Sequence, residues 1–256
     1  MTHALASAFK PRIVPVGDCA LTVEFGRNID PDIHARVLGF AGALDSMASS
    51  GLLAGVIEWV PAFASVTVHF DPEQADSEHL TEELLTLARK GASASATGCR
   101  WHIPVCFEPD FAPDLAELAI AKHLSPEEVI ERMTHTAFTV YMLGFLPGFP
   151  YLGGLPADLE MPRLATPRTV VPARSIAVTG RMCAAYPWES PGGWRLLGRT
   201  PIHLFDPTNT RRPALLAPGD EVVWQKIDRE TYASIEAAYS AGSFNVSSLL
   251  ATGDQA

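Results

Sequence analysis

The sequence predicts two domains of different character: an α+β unit over residues 1–92 and a mainly-β barrel or sandwich over 99–242, followed by a loose tail at 243–256. Three observations carry this expectation. Apolar periodicity over residues 10–90 reads as β-β-α-β-β-α. Residues 91–98 are small and uncharged, the composition of a linker. Beyond Ala137, short apolar runs recur with turn signals every few residues, the spacing of a sandwich or closed barrel.

In chain order, residues 13–16 and 20–25 are expected as strands around the Gly17-Asp18 turn. Asp30-Pro31 supplies an N-cap with proline at the first helical position. Ile33, Val37, Phe40, Ala41, Leu44 and Met47 then recur at helical steps, so an amphipathic helix runs to Gly51. Residues 56–61 and 65–70 alternate as strands, with Pro61 marking an edge or turn because it cannot donate to a ladder. Leu80, Leu84 and Leu87 carry a second helix, acidic near its start and closed by Arg89-Lys90, the order the helix dipole favours.

The second domain opens with a strand at 101–107 and a helix at 113–123. Ser125-Pro126-Glu127-Glu128 then forms a capping box for a helix through Met133. Strands are expected at 139–142, 169–171, 175–179, 202–205, 215–216 and 221–225, and Asp228 caps a last helix through Tyr239.

Composition narrows the function. The chain has 256 residues, 47% hydrophobic and 19% charged, as in ordinary globular proteins. A chain of this size buries roughly 70–75% of its unfolded surface and needs no staples. No apolar run approaches a membrane span and the N-terminus lacks a signal-peptide core, so a cytoplasmic location without membrane association is expected. Cys19, Cys99, Cys106 and Cys183 are scattered without metal spacing, so neither a metal nor a disulfide framework is expected. A net charge of −10 argues against nucleic acid.

Against that acidic background, residues 160–200 carry six arginines (Arg163, Arg168, Arg174, Arg181, Arg195 and Arg199) and only Glu160 and Glu189. Gly and Pro interrupt the stretch too often for a basic helix, which suits a pocket or an interface. No phosphate loop, dinucleotide fingerprint, nucleophile elbow or H-E-x-x-H motif is present.

Pro191-Gly192-Gly193 can present backbone N–H groups that, with Arg195 or Arg199, suit a carboxylate or phosphate; a hairpin turn before Trp194 is the other reading. Residues 144–156 are rich in Gly, Pro and aromatics (Phe145, Phe149, Tyr151), either a packed Ω-loop or an interface. Arg163 and Arg168 are pocket donors or surface charges. His102, His135 and His203 have no nucleophile at a recognisable spacing. Cys183 is either activated by nearby Arg181 or buried.

Several long segments in order, GFLPGFPYLGGLP, TPRTVVPARSIAVTGRMCAAYP, SPGGWRLLGRTP and LFDP, with GDCALTVEFG and GVIEWVPAFASVTVHFDP before them, resemble the family called allophanate hydrolase subunit 1. That family includes the B subunit of 5-oxoprolinase and the kinase inhibitor KipI, and the resemblance covers residues 13–242. It implies an α+β N-terminal domain followed by a mainly-β cyclophilin-like barrel. It also implies a non-autonomous subunit of a hydrolase that opens 5-oxoproline to glutamate with ATP, working with an A-type partner and a cyclophilin-fold partner of the C type.

The site expected on this basis comprises Arg168, Arg181, Met182, Cys183, Tyr186, Ser190, Gly192, Gly193, Trp194 and Arg199, with Phe145, Pro147, Phe149 and Tyr151 as a partner loop; the catalytic residues stay unassigned. The alternative function is a KipI-type protein inhibiting a histidine kinase. Two departures stand out: Arg174 where the family commonly reads VPAGS, and Met182, Cys183 and Ala184 where it reads GRQTGIYP. They remove polar side chains and glycine where a ligand would be read.

Overall fold

The computed structural model describes residues 10–91 and 98–251, which form two compact units divided between residues 97 and 98. Most of the expected linker, and the end of the expected tail, lie outside the described residues.

The first unit contains β1 (Arg12–Pro15), β2 (Ala20–Glu24), α1 (Pro31–Ser49), β3 (Val56–Pro61), β4 (Ser65–Phe70) and α2 (Ser77–Lys90). Its strands form an antiparallel sheet in the order β1-β2-β4-β3. Alternation puts Leu21 and Val23 of β2 and Val66, Val68 and Phe70 of β4 into a core with Val37, Phe40 and Leu44 of α1 and Leu80 and Leu84 of α2. Asp30 and Asp76 cap the two helices, accepting from Ile33 N (3.1 Å) and Glu78 N (2.9 Å) respectively. β3 is an edge strand that Pro61 ends.

The second unit contains β5 (Arg100–Cys106), α3 (Leu115–Ala121), α4 (Pro126–Thr134), β6 (Ala137–Leu143), β7 (Pro150–Gly153), β8 (Arg168–Val171), β9 (Ser175–Thr179), β10 (Met182–Ala185), β11 (Ser190–Gly192), β12 (Arg195–Arg199), β13 (Glu221–Ile227) and α5 (Arg229–Ser240). Seven strands close a barrel in the order β10-β7-β6-β13-β5-β12-β9, and β8 and β11 pair outside it. The β13–β5 contact is parallel; the other barrel ladders are antiparallel.

Asp220 fixes the start of this unit. Buried at the head of β13, it accepts hydrogen bonds from Cys99 N, Trp101 Nε1 and Ala217 N, each at 2.9 Å. A buried carboxylate with three donors is satisfied rather than a liability. Ser125 and Glu128 close the expected capping box on α4, and Asp228 caps α5 through Thr231 N at 2.8 Å.

Three expectations are corrected. Residues 202–205 and 215–216 are not strands, and only a Phe205–Ala214 bridge survives. Ile202, Leu204 and Leu216 are apolar because they pack in the barrel core from loops. The tail is not loose over 243–251: it forms a 3₁₀ turn at Val246–Leu249, buries Leu249 and bridges Trp101 through Leu250. Among the described residues no helix is long and apolar enough to cross a membrane.

Candidate functional site

The Gly-Pro-Arg region builds the outside of the barrel wall. Along β10 the side chains alternate: Cys183 and Ala185 belong to the barrel core, while Met182 and Ala184, with Tyr186 just beyond the strand, belong to a second cluster outside it. Phe149, Val171, Ala177, Trp194 and Leu196 complete that cluster, with Leu146 and Tyr151 at its margin. Phe149 is its hub. Its ring meets Tyr186 edge-on at 5.1 Å, Trp194 at 6.1 Å and Tyr151 at 5.0 Å, the offset geometries aromatic pairs prefer.

Tyr186 explains Gly192. A Cβ on Gly192 would lie 2.4 Å from the Tyr186 hydroxyl, so only glycine lets β11 cross the ring. Gly192 pairs with Arg168 in the β8–β11 ladder, and Gly193 accepts from Leu164 N at 2.7 Å. Neither has the left-handed backbone an anion nest needs: Gly192 ends a strand laid over an aromatic ring and Gly193 packs on Pro167, so the pair is neither a nest nor a hairpin turn. Ser190 is buried in the same strand. Burial raises the pKa of the Tyr186 and Tyr151 hydroxyls, with Arg163 acting in the opposite sense on both. Both therefore stay protonated near neutrality.

The arginines divide. Arg168 Nη2 donates to Asp114 Oδ1 at 2.6 Å, and Asp114 Oδ2 accepts from Leu196 N at 2.7 Å. Arg174 pairs with Glu236 and Arg195 with Glu117, each at 2.6 Å. Arg199 donates through Nε to Ala173 O at 2.9 Å. Arg181 is exposed at the turn between β9 and β10. Three of the six arginines are thus matched by carboxylates on α3, α5 and the residue before α3. Among the described residues, Arg163, Arg181 and Arg199 have no carboxylate partner.

Arg174 adopts a left-handed φ of +67°, a conformation natural to the glycine of the VPAGS pattern; its guanidinium anchors it to Glu236 and to Pro201 O at 3.1 Å.

Residues 144–156 are not a single loop: 144–149 connect β6 to β7, and Pro150–Gly153 are β7 itself. Phe145 stands in that connection with φ +69° and 63% exposure, edge-on to Phe149 at 5.5 Å. Pro147 is exposed beside it, and Gly148 packs so closely on Phe205 that a Cβ would fall 2.7 Å from the Phe205 Cβ. Phe205 in turn meets the half-exposed Trp188 at 6.1 Å. Phe145 is thus an exposed aromatic bordering the cluster, while Trp188 is exposed against Phe205.

The sequence's candidate nucleophile and bases lie elsewhere. Burial in the barrel pushes the Cys183 thiol up to about 12, so Arg181 does not activate it. His102 Nδ1 meets Gln225 Nε2, His135 bonds Glu131 O, and His203 stacks on Tyr239; none belongs to the outer cluster. Among the described residues no His, Cys, Asp and Glu group could hold a metal. Sequence reasoning missed Asp114 and Glu117, which hold Arg168 and Arg195 from 54 and 78 residues away; a carboxylate at a helix start gives no signal of so distant a partner.

This closed barrel, with an aromatic and arginine-bearing outer face, has known counterparts. The sequence matches the family described as carboxyltransferase domain, subdomain C and D, over residues 11–216. The chain belongs to this family. Among curated relatives of this carboxyltransferase-domain protein, the B subunit of 5-oxoprolinase from Bacillus subtilis (strain 168) is 36% identical over 233 residues, 86% of this chain and 95% of that one. The crystal structure of TTHA0988 matches with a TM-score of 0.72 at 32% identity, covering 82% of this chain and 40% of that one. Kluyveromyces lactis urea carboxylase shares the fold, with a TM-score of 0.73 at 20% identity over 92% of this chain and 23% of that one.

Proposed function

We propose that this chain is the B subunit of a multi-subunit, ATP-dependent 5-oxoprolinase, or of a related amide or urea-type hydrolase. Its near full-length match to the B. subtilis 5-oxoprolinase B subunit carries the reading. In this proposal the N-terminal unit is an α+β domain ending near residue 92. The second unit is a cyclophilin-like barrel, and the protein works in the cytoplasm.

The outer aromatic face is then half of a site completed by a C-type barrel, with an A-type protein as third partner. The Phe145–Tyr151 hairpin meets the partner; an exposed phenylalanine held at positive φ is backbone strain on a contact surface, which favours that role. Opening a lactam requires activating a poor electrophile and fixing its carboxylate. Of the six arginines of residues 160–200, Arg163, Arg181 and Arg199 are the ones not spent on carboxylates among the described residues, and the Tyr151 hydroxyl is a protonated donor at the margin of the cluster.

ATP has no seat on this chain in the proposal. Of the glycine pair beside the arginines, Gly192 covers Tyr186 and Gly193 packs on Pro167, and no phosphate loop is present. The nucleotide belongs to the partners.

The test is reconstitution. The chain combined with A-type and C-type homologues should release glutamate from 5-oxoproline only when ATP is present, and the chain alone should release none. Turnover by the isolated chain, or failure to bind any C-type homologue, would overturn the reading.

A further inference from the structure

A cavity of about 660 Å³ lies where β5 and β13 end side by side, under the first turns of α3 and α4. Phe107, Leu115, Ile130 and Ile227 form apolar walls, and Glu108, Glu127, Lys226 and Asp228 stand among the lining groups. Phe107, Leu115 and Ile130 are themselves buried, so the walls are core side chains rather than mobile surface groups. The volume falls in the range of small-molecule sites, roughly 300–1,000 Å³.

The charged groups are not equally committed. Glu108 accepts from both the backbone N–H and the Nε of Arg229, at 3.1 and 3.0 Å, and Asp228 is spent as the α5 cap. Lys226 and Glu127 meet at 2.6 Å with side chains 53% and 72% exposed, a surface pair that contributes little and is easily exchanged. The partners differ in what release leaves behind. Glu127 sits in the first turn of α4, where the helix dipole still favours a carboxylate. Lys226, the less exposed of the two, projects from a strand end and gains no such compensation. The exchangeable position is therefore the one occupied by the carboxylate.

We propose that this cavity is a ligand site separate from the aromatic face, for a small apolar carboxylate whose chain lies against Phe107, Leu115, Ile130 and Ile227 and whose head replaces Glu127 on Lys226. Helix α3 carries its occupancy outward. Leu115 lines the cavity, while the adjacent Asp114 holds Arg168 and the Leu196 N–H.

Titration of the ¹⁵N-labelled full chain with octanoate, followed by amide resonances, tests this. Saturable shifts are expected at Ala116, Ile130 and Leu196, with a dissociation constant of about 0.1–1 mM. Ala116→Phe, at an exposed lining position, should abolish binding, and Lys226→Met should weaken it about tenfold, the loss of one charge-assisted contact. No saturable shift, equal binding of octylamine, or octanoate binding indifferent to both substitutions would overturn the proposal. Lys226 is on the surface, so its variant keeps the test alive if Ala116→Phe does not fold.

Discussion

The two sides of β10 are put to different uses. Inward, Cys183 and Ala185 are sealed in the barrel; outward, Met182, Ala184 and the following Tyr186 support a smaller aromatic cluster with the half-buried Tyr151 at its margin and the exposed Phe145 against its Phe149 hub. The run RMCAAYP, where the chain departs from the pattern of the family it resembles, therefore holds two kinds of change. Cys183 is a packing choice. Met182 and Ala184 face the proposed site, and the twofold period of a strand lets them vary without touching the barrel core.

The sharpest test of this division is chemical. At about pH 8, a thiol whose pKa burial raises to about 12 is only about one part in 10⁴ thiolate. An alkylating reagent should modify the exposed Cys19 and spare Cys183 until the protein is denatured, as peptide mass spectrometry would record. Labelling of both at similar rates would mean that the barrel wall opens.

Next in size, Phe149→Ala should destabilise the protein by about 3–5 kcal/mol in denaturant titration, because it empties the hub of the outer cluster. A loss below about 1 kcal/mol would show that the outer cluster is not packed like a core.

Asp114→Ala leaves Arg168 and the Leu196 N–H without their shared acceptor. With the Arg168 side chain 28% exposed, the expected loss is about 2–3 kcal/mol, toward the low end for a broken buried pair. The same variant should lower the activity of a reconstituted complex by more than its instability explains.

Phe145→Gly should move stability and assembly in opposite directions. It relieves a left-handed φ worth about 1–2 kcal/mol but frees the unfolded chain, for a net gain of about 0.5 kcal/mol. Affinity for the C-type partner should fall about tenfold or more. Unchanged affinity would remove the hairpin tip from the interface.

The smallest effect is that of pH. Burial, reinforced by Arg174 and opposed by Glu236 and Asp206, holds the His203 pKa below the ordinary value. As pH falls through about 6.5 the unfolded chain binds a proton that the folded chain resists, so stability declines below that pH. His203→Phe, which can keep the stack on Tyr239, should flatten this part of the profile.

Local signals make much of the fold legible. Asp30, Ser125 and Asp228 mark helix starts because a cap is a contact within three residues, and β9 is readable from the apolar run Ile176-Ala177-Val178. Strands β7, β10 and β11 leave no such signal. Pro150, Gly153 and Gly192 look like turn residues until their long-range partners are known. The candidate site is half legible. Phe149, Tyr151, Met182, Tyr186 and Trp194 do gather in one cluster. The guanidinium of Arg199 is instead tied to Ala173 O, and the acidic partners that neutralise half of the arginines come from distant segments.

The Trp101–Leu250 bridge, with Ala251 N donating to Arg100 O at 2.8 Å, places the start of the barrel unit beside the end of its described residues. A module whose two ends leave from one spot can be spliced into or appended to a longer polypeptide without threading through itself.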